Sequence, residues 1–213
     1  MDLSVLLVFW AGFALALMSP GPNFAMLLGT AARDGRGPAL RCAAGMAAGE
    51  LVWGFAAVWG VAALAGAHPW AMAALRWGGG TFLLFLAVQS WRAAWRGNAG
   101  RGNAVEAWTD VRPPILQPRG RDFVRGLAVM VLNAKAGAFW VALAGVLVTA
   151  GASGATVAAG VLGAALMSLA WHGALAVALS ARMVTRLYRR IQRGFDAVLG
   201  TVLAGLGVRL LAS

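Results

Sequence analysis

"LALMSPGPNFAML", residues Leu15–Leu27, sets two prolines, a glycine and an asparagine inside an otherwise apolar run. Pro20 and Pro22 cannot donate backbone hydrogen bonds, and each ring clashes with the carbonyl one turn earlier. Unwound backbone at membrane depth is tolerated only inside protein or along a water-filled cavity. The helix resuming near Asn23 or Phe24 presents an N-terminal, partly positive end where a carboxylate can bind. In a membrane-embedded chain, this stretch therefore predicts a polar cavity beside a broken helix.

The composition puts the chain in a membrane. Its 213 residues are 61% hydrophobic and 12% charged, with a mean hydropathy of +0.75, whereas a soluble domain carries about 25% charge. The opening "MDLSVLLVFW" has Asp2 where a secretory signal has basic residues, so the first apolar run is expected to be a retained span. A single cysteine, Cys42, excludes an internal disulfide and reads as a small apolar helix residue.

A span needs about 20 mostly apolar residues, and six candidates meet this: 3–31, 39–65, 70–94, 123–149, 154–180 and 195–212. The expected fold is an all-α membrane protein of six transmembrane helices, the first broken at Pro20–Asn23. It forms one transmembrane domain over residues 1–213: a first repeat to about 95, a polar loop over about 96–122, and a second repeat over about 123–213. Three spans on each side of the loop place the two halves in opposite orientations, as in inverted-repeat transporters. "SPGPNFAML" has only a loose counterpart in "LNAKAGAFW".

Net charge is +11, yet the charges sort by side. Arg33, Arg36 and Arg41 flank the first loop, seven arginines from Arg92 to Arg125 the third, and five from Arg182 to Arg193 the fifth. This asymmetry assigns those loops to the cytoplasm and both termini to the periplasm. It is a topology signal, with contact to anionic lipid as a by-product, and it removes the case for nucleic acid. Arg76 and Arg209 sit where their side chains can snorkel to headgroups.

Lys135 is the only lysine. Counted from the nearest inner-boundary arginine, Pro22, Glu50, Lys135 and His172 all lie roughly 14–17 Å from the cytoplasmic face, near the bilayer midplane. They occupy four different spans. An ionisable group at that depth needs a cavity or a partner. Glu50 and Lys135 read either as a structural ion pair or as a substrate site, and His172 either as a packing residue or as a proton carrier. Trp53 lies one turn from Glu50 and on its face, while Trp171, adjoining His172, is expected on a different one. Gly45 and Gly49 mark close helix contact, and the glycine faces permit a homodimer.

At "SPGPN" (Ser19–Asn23) and "ARDGRGPALRCAAGMAAGE" (Ala32–Glu50), the chain resembles the LysE/RhtB family of bacterial amino-acid exporters. That family carries a Pro-Gly-Pro-Asn break in span one and usually Asn-Pro-Lys in span four. Here Asn133-Ala134-Lys135 keeps two of those three positions. With alanine at 134, span four is expected to run through Asn133 unbroken.

The resemblance implies export of amino acids or close derivatives across the bacterial inner membrane, driven by the proton motive force. The expected substrate-binding residues are Pro20, Gly21, Pro22, Asn23, Glu50, Trp53, Asn133 and Lys135, with Glu50 and His172 exchanging the coupling proton. Neither a metal nor a cofactor is expected, and the partners are the amino acid, the proton and the lipid bilayer. The alternatives are a metal-ion exporter of the same superfamily and a non-transporting assembly or scaffold protein. The two histidines lie in different regions and Cys42 is alone, which disfavours metal. Ser168, one turn before His172, is the only pair suggestive of an enzyme, and it has no orienting third group.

Overall fold

The opening stretch holds the end of one helix and the start of another. In the computed structural model, which describes residues 2–18, 21–67, 69–96, 121–178 and 182–212, α1 covers Leu3–Met18 and α2 covers Pro22–Asp34. The helix thus resumes at Pro22, ahead of Asn23. Proline suits the first helical position, because its missing N–H has no partner to lose there. Ser19 and Pro20 lie outside the described residues, as do 97–120 of the predicted loop. Six further helices follow among the described residues: α3 Arg36–Ala67, α4 Pro69–Arg96, α5 Asp122–Val131, α6 Ala134–Thr149, α7 Gly154–Ala178 and α8 Arg182–Ala212. No strand occurs among these residues.

Local chemistry fixes the helix ends. The Asp2 carboxylate accepts from the Ser4 and Val5 backbone N–H groups, at 3.1 and 3.3 Å, and caps α1. The Ser4 hydroxyl also donates to it, which helps hold this carboxyl below the usual carboxylate range. Gly35, at φ +87°, turns the chain from α2 into α3, a conformation that favours glycine. After α6, Gly151 donates to Val148 and Ala152 to Leu147, a Schellman closure with Gly151 at φ +63°.

The fourth predicted span breaks, contrary to the expectation drawn from Ala134. Helix α5 ends at Val131, and Asn133 leaves helical geometry at φ −78°, ψ +97°. Its side chain accepts from the Lys135 and Ala136 N–H groups, at 3.1 and 3.4 Å, and so starts α6. An asparagine cap therefore does here what proline does in the family pattern. The bends are 54° between α1 and α2 and 61° between α5 and α6. Among the described residues, two stretches, Arg36–Leu64 and Gly154–Ala178, are long and apolar enough to cross a membrane, and counting each bent pair as one span raises this to four. The outward faces carry Trp59, Trp77, Trp95, Leu132 and Leu166, an exterior suited to lipid rather than water.

Helix α3 packs on α5, α6 and α7, and α4 pairs along α8. The α3–α5 contact is backbone on backbone: a Cβ at Gly45 would run into the Phe123 carbonyl, and one at Gly126 into that of Cys42. Two apolar clusters result. One gathers Phe9, Phe13, Val58, Leu83, Trp140, Leu147 and Leu199. The other gathers Phe24, Leu27, Cys42, Met46, Met130 and Leu175. On α3, Glu50 falls between the residues of one cluster and those of the other, and Trp53 packs against both.

Candidate functional site

Between the clusters lies a cavity of about 80 Å³, room for several waters. Pro22, Glu50, Lys135 and His172, the four groups matched by depth in the sequence, all line it. Gly21, Asn23 and Asn133 line it too, and Phe13, Phe139, Trp140, Trp171 and Leu175 supply apolar wall. Pro20 lies outside the described residues.

Both helix breaks deliver their N-terminal ends to this cavity. Asn23, in the first turn of α2, accepts from the Asn133 side chain at 3.3 Å and donates to the Met130 sulfur at 3.5 Å. These two asparagines tie the breaks together. At α2 the N-cap is Gly21, which offers no side-chain cap. At α6 the cap is Asn133, and Lys135 follows in the first turn. Two partly positive helix ends and one ammonium group thus line one wet space.

Glu50 is 4% exposed and His172 3%. The Trp140 indole N–H donates to the Glu50 carboxylate. Trp140 is itself fixed by Phe13 and Phe9, whose ring centroids lie 5.5 and 6.0 Å away, and its ring, with Val161, fills the space that Gly54 leaves. The Ser168 hydroxyl also faces that carboxylate. It lies 3.1 Å from His172 Nδ1, which is 3.0 Å from the Ser168 carbonyl oxygen. With Nδ1–H donating to that carbonyl, Nε2 is the basic nitrogen. Trp140–Glu50 and Ser168–His172 are thus two hydrogen-bonded pairs on α6, α3 and α7, with the Ser168 hydroxyl facing the Glu50 carboxylate between them.

Two tryptophans sit other than expected. Trp53 shares the Glu50 side of α3 but is not among the lining residues. Its indole donates to the Met130 carbonyl at 3.1 Å, and its ring fills the space above Gly137. Trp171 lines the cavity together with His172, because adjacent helix positions differ by about 100° and a large ring spans that angle. Sequence reasoning paired Ser168 with His172 but missed Trp140 and the approach of Ser168 to Glu50. The signal for Ser168 was its i, i+4 spacing to His172; Trp140 had none, since it reaches Glu50 across helices.

Among the described residues, no three of the His, Cys, Asp and Glu side chains converge as a metal site would require. A sequence profile described as LysE type translocator matches residues 14–213. The chain belongs to that family. This translocator is 28% identical over 201 residues to the threonine efflux protein of Escherichia coli K12, covering 93% of both chains. It is 28% identical over 200 residues to that of Salmonella typhi, again over 93% of each. An uncharacterized membrane protein of Pseudomonas aeruginosa is 34% identical over 91 residues, 41% of this chain. No solved structure matches. The LysE type translocator is thus a membrane transporter of small molecules, not an enzyme.

Proposed function

We propose that this translocator exports an amino acid or close derivative from the cytoplasm across the bacterial inner membrane, driven by the proton motive force. Six spans in two inverted three-helix repeats, with both termini periplasmic, would set the cavity at mid-depth. An amino acid is a zwitterion, so its site needs positive potential at one end and an anion or carbonyls at the other. The α2 end at Pro22 and Asn23, with Lys135, suits the carboxylate, and Glu50 suits the ammonium. Asn133 sets the α6 end, and Gly21 brings no cap to the α2 end.

The observation carrying this reading is that three ionisable groups, Glu50, Lys135 and His172, line one cavity with the Pro22 helix end, from four predicted spans. Glu50, Ser168 and His172 offer a route for the coupling proton next to the site that would hold the ammonium. The names of the threonine efflux relatives support an amino acid as the exported solute.

The test uses purified protein in vesicles loaded with a panel of radiolabelled amino acids, threonine included. Efflux of at least one, accelerated by an imposed pH gradient and abolished by a protonophore, is expected. Efflux indifferent to the gradient would remove proton coupling, and no efflux of any panel member would remove the amino-acid reading.

A further inference from the structure

Beside the central cavity lies a second one of about 50 Å³. Its walls include Leu86, Gln89 and Ser90 of α4 and Leu199 of α8. Lys135 and Phe139 of α6 line both cavities. Ser90 is 9% exposed, and among the described residues neither its hydroxyl nor the Gln89 amide has a hydrogen-bond partner. A buried hydroxyl left without a partner in a helix of this kind costs free energy unless water or a ligand meets it.

Position along the helix says which side this space serves. Gln89 and Ser90 stand three and two residues before Arg92, about 3–5 Å along α4. Lys135 stands ten residues from Arg125, about 15 Å along. The second cavity therefore runs from the arginine-marked side toward the centre. Its polar groups are one cation and two neutral hydrogen-bonding side chains, with no carboxylate among the lining residues. Such a set favours an anionic group over a cationic one.

We propose that this chamber is a second substrate subsite on the cytoplasmic side, holding the carboxylate of an incoming amino acid on Ser90, Gln89 and Lys135 before it passes to the central cavity. Lys135 is the shared contact: its ammonium stays on the carboxylate while the ligand moves past Phe139, so the charge is not left bare in transit. The proposal rests on the export reading above, and its test is separable from it.

Cys42 is the only cysteine and is buried, so a Cys42→Ala background allows a thiol probe. Ser90→Cys and, separately, Gln89→Cys are placed in vesicles of known orientation and treated with a membrane-impermeant maleimide, with and without threonine. Labelling of at least one variant from the cytoplasmic face alone, slowed severalfold by threonine, is expected, and Lys135→Ala should abolish the slowing. Labelling from the periplasmic face, no labelling of either variant, or labelling that threonine leaves unchanged overturns the subsite; the last would make the chamber a lipid-filled crevice. The export reading is judged separately, by efflux in the unsubstituted protein.

Discussion

The two helix breaks reach the same cavity by different chemistry. At the first, Pro22 opens α2 with no N–H to satisfy, and Gly21 brings no capping side chain. At the second there is no proline, and the Asn133 side chain takes up the first N–H groups of α6. The first end receives no cap from the side of Gly21, while the second is occupied by its own cap and contributes Lys135 instead. A break at membrane depth thus needs a substitute for lost helix bonds, and proline is only one way to arrange it.

The stems differ as well, and the largest expected effect lies there. Helix α5 rests backbone to backbone on α3 at Gly126, whereas at Gly12 in α1 the neighbours are the side chains of Leu206 and Leu143. Gly126→Ala should cost about 3 kcal/mol or more, the upper range of overpacking, and Gly12→Ala well under that. The comparison is read from folded yield and melting temperature in detergent. Equal effects would mean that the α3–α5 contact is looser than the structure has it.

The caps come next. Asn133→Ala and Asn23→Ala both remove the bond between the two asparagines, but only the first removes the α6 cap. Asn133→Ala should destabilise by about 1–2 kcal/mol and Asn23→Ala by about 0.5 kcal/mol, since its other partner is a weak sulfur acceptor. Thermal melting of the two variants side by side isolates the cap.

The smallest effect runs the other way. Ala134 occupies the first position of α6, and Asn133 before it already has the extended geometry that a following proline requires. Ala134→Pro should therefore be tolerated, with a gain of about 0.4–1 kcal/mol from a stiffer unfolded chain. A clear loss of stability would mean that the two kinds of break are not interchangeable.

The same contrast explains what the sequence made legible. The first break could be read directly, because proline excludes a helix bond whatever surrounds it. The second could not: asparagine caps a helix only once the chain has left helical geometry, and nothing local to Asn133 requires that departure. Counting helix rise from the arginines was also informative, since both are local quantities, and the four residues so matched share a cavity. Which helix faces which was not. Trp53 lies on the Glu50 side of α3, yet the donor to Glu50 is Trp140, from α6. Periodicity assigns faces within one helix, whereas partners across helices follow from where Gly45, Gly54 and Gly126 let backbones and rings come close.

The central claim is that the space between the two breaks holds the solute being moved. The direct measurement is the initial rate of threonine efflux from loaded vesicles containing equal amounts of folded protein, unsubstituted or carrying Glu50→Gln or Lys135→Ala. Loss of one charge-assisted contact is worth about 1.5–3 kcal/mol, so at least about a tenfold fall in rate is expected in each variant. Unsubstituted rates in both variants would contradict the claim.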